Sequence, residues 1–586
     1  MNRIINFCLF ILLVTSAVSC KSDFEDQPLD ITTVDYTFDK NDATGYYANL
    51  YVSYIYSRLP IGYARINGVP LETVSDDAVP SNTANANWNV IRGGYTPSST
   101  FDDNWSGMYA GIRNVNIFLN NYKQIPWADP NQPRYLSNEV RALRAWFYYE
   151  LIKRYGGVPL IGDKVYESTD AELLKLKRNS FDDCVKYIIS ELDAVKDSLR
   201  PEATLASRGS GNGITNGSDP NGGRIRKSTV LGMKTKVLLL AASPLFNASS
   251  TPDKDYTGYQ SYSLDRWKAA ADAAKAVMDL KDINGATMFQ LENDRYLLWK
   301  TSVNKEVVFM RMGGQYANTY SYWMSPVGYN PGNTASQGLV SPTQELVDAF
   351  PMKNGKTITD PISGYNAATP YANRDPRLDQ TVFYNGATWL KRAVETFEGG
   401  KDKPNNTSIA AVQTQTGYYA KKFLANDANS STYTNTCFVS TKGNWMVVIR
   451  YADILLMYAE AQNEYSGPDA SVYSAVEAVR QRAGLSPYAL PTGLTQDQMR
   501  DVIHNERRVE FAFEEQRFWD IRRWKIAKST YGATLHGVTI TKNINGTFTY
   551  VSKNVVTPYY SDAMNLLPIA LKETQVNPNI MQNPGY

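Results

Sequence analysis

Apolar residues recur at intervals of three and four along several segments of this chain, which is the spacing of one face of an α-helix. The segments cover residues 140–151, 267–278, 448–459, 472–483 and 499–513. Gly156 and Gly484 mark two helix ends, and Thr495 with Gln498 forms a capping box ahead of the last segment. Because each amphipathic helix must bury its apolar face against another element, the pattern predicts paired helices stacked side by side.

Long segments with few helix signals separate these helices. Residues 60–100, 200–227 and about 285–440 are rich in Gly, Asn, Ser, Thr, Pro and Tyr. Segments this long are usually functional or disordered, and the many aromatic residues argue against simple disorder. Short β-like runs such as residues 307–310 occur within them. The predicted fold class is therefore mostly α, with stacked helix pairs, a large irregular loop-rich region and a few short strands.

The N-terminus has the layout of a secretory signal peptide. A basic start is followed by an apolar run too short to span a bilayer as a helix, and then by small residues that lead to Cys20. One interpretation is cleavage after Ser19, which would release a soluble secreted protein. The other is attachment of lipid to Cys20, because Cys20, Cys184 and Cys437 otherwise leave an odd thiol in an exported chain.

We favour lipid attachment, because the stretch that ends at Cys20 resembles a bacterial lipobox and several acyl chains on one residue give stable anchoring. The acidic residues that follow resemble signals that send lipoproteins to the outer face of the outer membrane. The predicted organisation is a signal peptide over residues 1–19, a lipidated tether over residues 20–44 and a single domain over residues 45–586. Its helical core is expected at about 45–284 and 440–586, and its loop-rich region at about 285–440. Cys184 and Cys437 remain available to form a disulfide.

Charge and motif content exclude several classes of function. Sixty Lys and Arg against 58 Asp and Glu give a net charge of +2, so no broad electrostatic field favours nucleic acid. His504 and His536 are the only histidines and cannot build a His-rich metal or catalytic site. Residues 253–258 imitate the start of a calcium loop, but Leu264 stands where a bidentate Glu is required. We expect no cofactor, with calcium as the alternative.

A charged run near the C-terminus admits a catalytic or a structural interpretation. Opposite charges recur at spacings of three and four, as in Arg507 with Glu510 and Glu514 with Arg517. We therefore interpret the run as an ion-pair network on one helix face. Four tryptophans lie on amphipathic segments, and we therefore assign them to the apolar core. They are Trp105, Trp146, Trp519 and Trp524.

Two stretches of loop-like sequence carry side chains suited to sugar recognition. Glycan binding needs flat aromatic faces with amides, carboxylates and Arg beside them. Residues 76–92 place a lone Trp88 among small polar residues, and residues 315–324 hold four aromatics within eight positions. The alternative for these rings is that they only pack the loops together.

Five stretches match the motifs of one family, in order along the chain. They cover residues 142–160, 243–247 (Ser-Pro-Leu-Phe-Asn), 479–485, 506–524 and 577–586 (Asn-Pro-Asn-Ile-Met-Gln-Asn-Pro-Gly-Tyr). Together with the lipobox they resemble the SusD-like (SusD/RagB) family of outer-membrane nutrient-binding lipoproteins over essentially the whole chain. Ala570 departs from a frequent Pro-Ile-Pro in the family, which affects only a local turn.

The resemblance implies tetratricopeptide-like helix pairs on one side of the molecule and a loop-rich region on the other. It also implies a non-catalytic lipoprotein that faces the cell exterior, captures oligosaccharides or polysaccharides and delivers them to a SusC-like TonB-dependent transporter. Alternatives are a peptide-binding member of the same fold and a carboxylate-based glycosidase.

In family members the ligand site uses aromatics from about the two stretches described above. The glycan-binding residues predicted on this basis are Asp77, Asn87, Trp88, Arg92, Tyr316, Tyr320, Tyr322 and Trp323. We expect Ala at Trp88 or Trp323 to weaken glycan binding without lowering thermal stability.

Overall fold

α-Helices account for most of the regular structure in the computed structural model, which describes residues 33–60, 62–167, 169–202, 222–248, 254–300, 304–312, 323–329, 337–406, 410–424 and 445–586. The helices are α1 (Val34–Thr37), α2 (Tyr46–Ser57), α3 (Asn87–Ile91), α4 (Trp105–Asn121), α5 (Gln132–Tyr155), α6 (Phe181–Val195), α7 (Lys227–Ala242), α8 (Asp265–Met278), α9 (Leu297–Lys300), α10 (Gln344–Ala349), α11 (Pro376–Thr381), α12 (Tyr451–Ser466), α13 (Ala470–Ala483), α14 (Gln496–Glu510), α15 (Arg517–Arg523) and α16 (Leu571–Val576). Single 3₁₀ turns span Leu71–Val74, Tyr122–Gln124, Ala171–Lys175, Val327–Tyr329 and Asp562–Asn565.

The strands of the described residues form five antiparallel sheets of two strands each. They are β1 (Ala78–Pro80), β2 (Val307–Met312), β3 (Val340–Pro342), β4 (Val382–Phe383), β5 (Thr388–Trp389), β6 (Arg392–Ala393), β7 (Tyr419–Ala420), β8 (Trp445–Arg450), β9 (Leu535–Lys542) and β10 (Phe548–Val556). The pairs are β1 with β3, β2 with β8, β4 with β7, β5 with β6 and β9 with β10. In the first sheet Val79 lies opposite Ser341, so this short pairing joins distant parts of the chain.

Consecutive long helices pack against one another and form the helical part of the molecule. α4 contacts α5, α5 contacts α6, α6 contacts α7, α7 contacts α8, and α8 contacts α12, which in turn contacts α13 and α14. Gly484 ends α13 in the left-handed conformation, and the capping box of Thr495 and Gln498 begins α14. The predicted mostly α fold of stacked helix pairs is confirmed.

Two of the predicted helical segments extend beyond the helices that form. Val448 belongs to β8, which pairs with β2, and α12 begins only at Tyr451. Phe513 lies beyond the end of α14, with a φ of +62° that an α-helix of L-residues does not adopt. Both side chains nevertheless pack against apolar cores. The apolar spacing thus correctly predicted that these two side chains pack against a core. It wrongly predicted that they belong to helices.

Buried apolar side chains form two clusters, which we name the helical core and the loop core. The helical core lies between the long helices and includes Trp105 and Trp146, with Trp519 partly buried against it. Trp524 is buried as well. The loop core lies under residues 298–424 and includes Trp299 and Trp389. The loop-rich region therefore has an apolar interior of its own.

Packing begins upstream of the predicted domain boundary at residue 45. Phe38 is buried in the helical core, with its ring centroid 5.7 Å from that of Tyr51 and 5.8 Å from that of Phe118. The predicted tether over residues 20–44 is therefore wrong for its last residues. Residues 1–32, which include Cys20, lie outside the described residues.

The charged run at residues 506–523 forms a buried ion-pair network, but its pairs are not the predicted ones. The observed pairs are Arg507 with Asp453 and Asp520, Glu510 with Arg377 and Arg450, Glu514 with Lys422 and Arg450, and Arg517 with Asp76. Because α14 ends at Glu510, the side chains before and after this residue face different elements. The predicted pairs Arg507–Glu510 and Glu514–Arg517 do not form, whereas Asp520 and Arg523 of the same run pair at a spacing of three, 2.8 Å apart on α15.

None of the helices in the described ranges is long and apolar enough to cross a bilayer.

Cys184 is a buried thiol that donates to the Val158 carbonyl oxygen at 3.4 Å, and burial raises its pKa to about 12. Cys437 lies outside the described residues, so its disulfide with Cys184 stays a prediction.

Candidate functional site

Backbone hydrogen bonds connect the first predicted glycan-binding stretch to Trp323 of the second. The β1–β3 sheet ends where the Ser81 amide donates to the Leu339 carbonyl oxygen at 3.0 Å, and the Leu339 amide donates to the Trp323 carbonyl oxygen at 3.0 Å. The loop after β1 and the segment at Trp323 are thus neighbours. Residues 313–322 and 330–336, with the predicted Tyr316, Tyr320 and Tyr322, lie outside the described residues.

The Trp88 side chain is buried beneath the loop that follows β1. Its side chain is 8% exposed and belongs to the helical core, and its indole N–H donates to the Asn82 carbonyl oxygen at 3.0 Å. The Thr83 amide fastens the same loop to the Ala411 carbonyl oxygen at 3.0 Å. The prediction that Trp88 presents an open ring to a sugar is wrong, because neighbouring side chains already cover its faces.

Asp77 and Asn87 support the loop from below and do not reach its surface. The Asn87 amide donates to the Thr73 hydroxyl at 2.9 Å and its carbonyl accepts from Asn67 at 2.8 Å. The Asp77 carboxylate accepts from Arg508 at 2.7 Å. Both side chains are fully buried, so their assignment to glycan contact is also wrong.

The electrostatics beneath the loop are those of a buried charge cluster. Burial raises the pKa of Asp77, although the Arg508 guanidinium opposes the shift. For Asp76 burial again works against ionisation, but Arg508 and Arg517 outweigh it and hold the pKa well below its usual range. Arg517 donates to both Asp76 oxygens, at 2.9 and 2.7 Å. These carboxylates anchor the 76–92 stretch to α14 and α15.

Arg92 and Trp323 are the predicted site residues that remain accessible in the described structure. Arg92 is exposed, with its guanidinium carbon 5.7 Å from the centroid of the Trp88 ring. Trp323 is half-buried and packs on the loop core. Trp88 therefore orients Arg92 through a cation–π contact and leaves the guanidinium edge to outside partners.

Sequence reasoning missed a set of amides around α3. Asn85 is half-buried and donates to the Asn67 carbonyl oxygen at 3.0 Å, while the exposed Asn89 donates to the Gly94 carbonyl oxygen at 3.1 Å. The alternation of Asn at 85, 87 and 89 was a usable signal, since amides supply donors and acceptors to sugar hydroxyls.

A cleft of about 690 Å³ opens beside α3 and shares Asn67 and Asn89 with this surface. Its other walls carry Ser99, Thr100 and Asp103. Its floor includes the buried rings of Tyr95 and Phe101 and the ion pair between Arg65 and Asp102. A volume of this size lies within the range of small-molecule sites, and the hydroxyl-rich walls suit polar ligands.

No group of three or more His, Cys, Asp or Glu side chains that could hold a metal ion occurs among the residues that the structure describes. Asp253, the first residue of the calcium-like loop, lies outside them. His504 is half-buried and stacked on Trp524, with the ring centroids 3.5 Å apart. Desolvation lowers its pKa to about 3, so it is neutral at physiological pH.

Comparison with known proteins gives consistent matches along the chain. Residues 305–586 match the model described as the SusD family, and residues 47–208 match a model described as starch-binding associating with outer membrane. SusD-like protein P2 of Formosa agariphila is 34% identical over 146 residues, which are 24% of this chain and 26% of that protein. The chain thus matches about a quarter of the length of this curated relative.

Solved structures match over nearly the whole chain. A SusD-like protein from Bacteroides fragilis superposes with a TM-score of 0.73 and 25% identity, over 96% of this chain and 100% of its own. A laminarin-binding SusD-like protein gives a TM-score of 0.60 at 20% identity, over 92% of this chain and 98% of its own.

Proposed function

Since the chain belongs to the SusD-like family, we propose that it is a surface glycan-binding lipoprotein of the outer membrane, without catalytic activity of its own. The observation that carries the proposal is the pair of backbone hydrogen bonds that join Ser81 to Leu339 and Leu339 to Trp323. They connect the segment at Trp323 to the loop that leads into α3, where Asn89 and Arg92 are exposed. Amides, a guanidinium and an aromatic ring are the groups that hold sugar rings and their hydroxyls, and we propose that these three side chains act together.

In the proposed binding mode, an aromatic ring contacts the apolar face of a sugar and polar side chains contact its hydroxyls. Trp323 would stack on the apolar C–H face of a sugar, while Arg92 and Asn89 donate to hydroxyls beside it. Tyr316, Tyr320 and Tyr322 are proposed to extend this surface. The cleft beside α3 would take a branch or the end of the same chain, because Asn89 borders both surfaces. A surface of this extent favours oligomers over single sugars.

Location and transport follow from the same proposal. Lipid on Cys20 would hold the protein on the cell exterior, in agreement with the family description of association with the outer membrane. We propose that the bound glycan is then delivered to a SusC-like TonB-dependent transporter. The solved laminarin-binding relative supports a polysaccharide as the class of ligand.

The carboxylates of the described site favour binding over hydrolysis. Asp76 and Asp77 are buried and paired with Arg508 and Arg517, and Asp102 of the cleft is paired with Arg65. Asp103 is the carboxylate of the cleft wall that is exposed. A glycosidase needs two carboxyl groups that flank the scissile bond.

Calorimetry against a panel of polysaccharides, with reducing-sugar release followed in parallel, tests the proposal. We expect binding without release, and we expect Arg92→Ala and Trp323→Ala each to weaken affinity about tenfold or more, in line with the loss of one charged hydrogen-bonding group or one stacked ring. Arg134→Ala is the matched control, because Arg134 is another exposed Arg placed over a ring, that of Tyr135 at 5.0 Å, on the helical part.

Trp88→Ala is expected to behave differently from the sequence-based expectation. Removing a buried indole costs about 3 kcal/mol of unfolding free energy, so the melting temperature falls together with the affinity. Unchanged affinity in both Arg92→Ala and Trp323→Ala would contradict the site. Sugar release, or affinity for peptides with none for glycans, would contradict the function.

A further inference from the structure

Five of the exposed large apolar side chains lie within residues 34–54, and we name them the tyrosine face. They are Val34, Tyr36, Tyr46, Leu50 and Tyr54, each 45–59% exposed. Tyr46, Leu50 and Tyr54 follow one another at intervals of four, so they form one stripe along α2. The opposite side of α2 is buried against α4 and α5. The tyrosine face is therefore an ordered surface of a packed helix.

Neighbouring groups hold the rings of this face in place. Tyr47 bridges them, with its centroid 4.4 Å from that of Tyr36 and 5.1 Å from that of Tyr46. The Asp42 carboxylate accepts from the Tyr46 amide at 2.9 Å and fixes the first turn of α2. Arg58 lies over the Tyr54 ring, 4.8 Å from its centroid.

The position of the face in the chain limits how far it can lie from the proposed anchor. Twelve residues lie between Cys20 and Thr33, where the described structure begins. Covalent geometry allows such a segment to span at most about 45 Å. The tyrosine face begins at the next residue, Val34. On a lipidated protein, this face therefore starts no farther from the bilayer than the length of that segment.

We propose that the tyrosine face rests on the lipid–water interface of the membrane that carries the protein. This inference rests on the proposed function for its lipid anchor. Tyr places an apolar ring against acyl chains while its hydroxyl stays among headgroups, which is why Tyr is enriched at both membrane interfaces. The five side chains offer roughly 500 Å² when half exposed, less than the ~800 Å² that each partner contributes to a stable protein interface.

Lipid quenching of a fluorophore on the face tests this contact. The mature chain carries a hexahistidine tag in place of Cys20 and is held on phosphatidylcholine–phosphatidylglycerol vesicles by a nickel-chelating lipid, so the result does not depend on natural lipidation. An environment-sensitive dye is attached at Leu50→Cys in a Cys437→Ser background, since Cys184 is buried. The reference label is Tyr262→Cys, at a half-exposed Tyr elsewhere.

We expect doxyl-labelled lipids to quench the dye at position 50 several times more strongly than at position 262. Tyr46→Ser with Tyr54→Ser should bring the quenching at position 50 down to the reference level. The matched double variant Ile362→Ser with Tyr488→Ser, which alters exposed side chains of other regions, should leave it unchanged.

Equal quenching at positions 50 and 262, or quenching that survives the Tyr46 and Tyr54 substitutions, would overturn the proposal. Self-association of the chain that these substitutions abolish, without lipid quenching, would assign the face to a second copy and overturn it too. Glycan affinity of the same tagged proteins, and mass spectrometry of Cys20 in the untagged full-length chain, report separately on the proposed function. Its failure is thereby distinguished from failure of the membrane contact.

Discussion

The helical part and the loop-rich region are stabilised in different ways. The helical part buries apolar stripes between long helices, and its helix ends carry local caps such as Thr495 and Gln498. Apart from β2, the loop-rich region has strands of two or three residues, and its apolar core is smaller. It is also fastened by charges, as where Arg377 pairs with Asp375 at 2.7 Å and with Glu506 from α14. Local signals thus set helix ends in the helical part, whereas the loop-rich region depends on ion pairs with distant residues such as Glu506.

Glu510 is the point where the two parts meet. Its carboxylate lies 3.0 Å from Arg377 of the loop-rich region, 2.8 Å from Arg450 at the end of β8, and also pairs with Arg482 of α13. Burial alone would raise the pKa of Glu510, but the surrounding guanidinium groups hold it well below its usual range. Such a carboxylate stays charged throughout the physiological pH range.

Removing this carboxylate gives the largest expected effect. Glu510→Ala removes a carboxylate that four buried guanidinium groups share, those of Arg295, Arg377, Arg450 and Arg482, so we expect a loss of about 3–5 kcal/mol of unfolding free energy. Denaturant unfolding measures the loss, and hydrogen exchange should show that the segments around Arg377 open first.

Asp497→Ala on the same helix is the control for Glu510→Ala. Asp497 pairs with Arg500, but its side chain is 84% exposed, so water replaces the contact and stability should be nearly unchanged. If Glu510→Ala cost no more than Asp497→Ala, the loop core alone would hold the loop-rich region, and the contrast between the two parts would disappear.

Glu72 sharpens the comparison through pH. It lies beneath the candidate site, in the 3₁₀ turn Leu71–Val74, and accepts from the backbone amide of Glu515. Burial, and then the negative charge of Glu515, raise the pKa of Glu72 to about 8. The folded state thus binds this proton more tightly than the unfolded state, whose Glu titrates near about 4.3. The stability from this proton is present below the unfolded pKa and is lost as pH rises through about 8.

We therefore expect Glu72→Gln to be more stable than the parent protein at pH 9, by about 1–3 kcal/mol, and to lose this advantage towards pH 5. Thermal unfolding across that pH range measures the difference. The same change at Glu167, whose side chain is 66% exposed, is the control and should not reproduce the gain at pH 9. A Glu72→Gln advantage that grew as the pH fell would contradict the assigned direction.

The same division explains which parts of the fold could be predicted from sequence. The ends of α13 and α14 follow from Gly484 and from the capping box, because these signals act within a few residues. The partners of Arg507 and Glu514 could not be predicted, since they come from α12, β8 and residue 422. The spacing of the charges correctly indicated an ion-pair network. It did not indicate which residues form the pairs.

The candidate site was predicted in part for a related reason. The family resemblance indicated that the 76–92 stretch and the segment at Trp323 act together, and the β1–β3 pairing places them side by side. The small polar residues around Trp88 suggested an exposed ring. Burial of the ring is possible because its indole N–H donates to the Asn82 carbonyl oxygen, a partner that residue type does not reveal. The polar wall at Ser99 and Thr100 was missed because its exposure is set by tertiary packing.

The smallest predicted effect lies at the other end of α14. Thr495 accepts from the Gln498 amide at 3.2 Å, and the Gln498 side chain accepts from the Thr495 amide at 2.9 Å, at a site exposed to water. Thr495→Ala should cost about 1 kcal/mol of unfolding free energy, measured in denaturant, because one backbone donor loses its cap and is partly rescued by solvent. A double-mutant cycle with Gln498→Ala should show that the two residues act as a unit. Additive losses would separate the two caps, whereas a loss as large as that of Glu510→Ala would mean that both ends of α14 depend on long-range contacts.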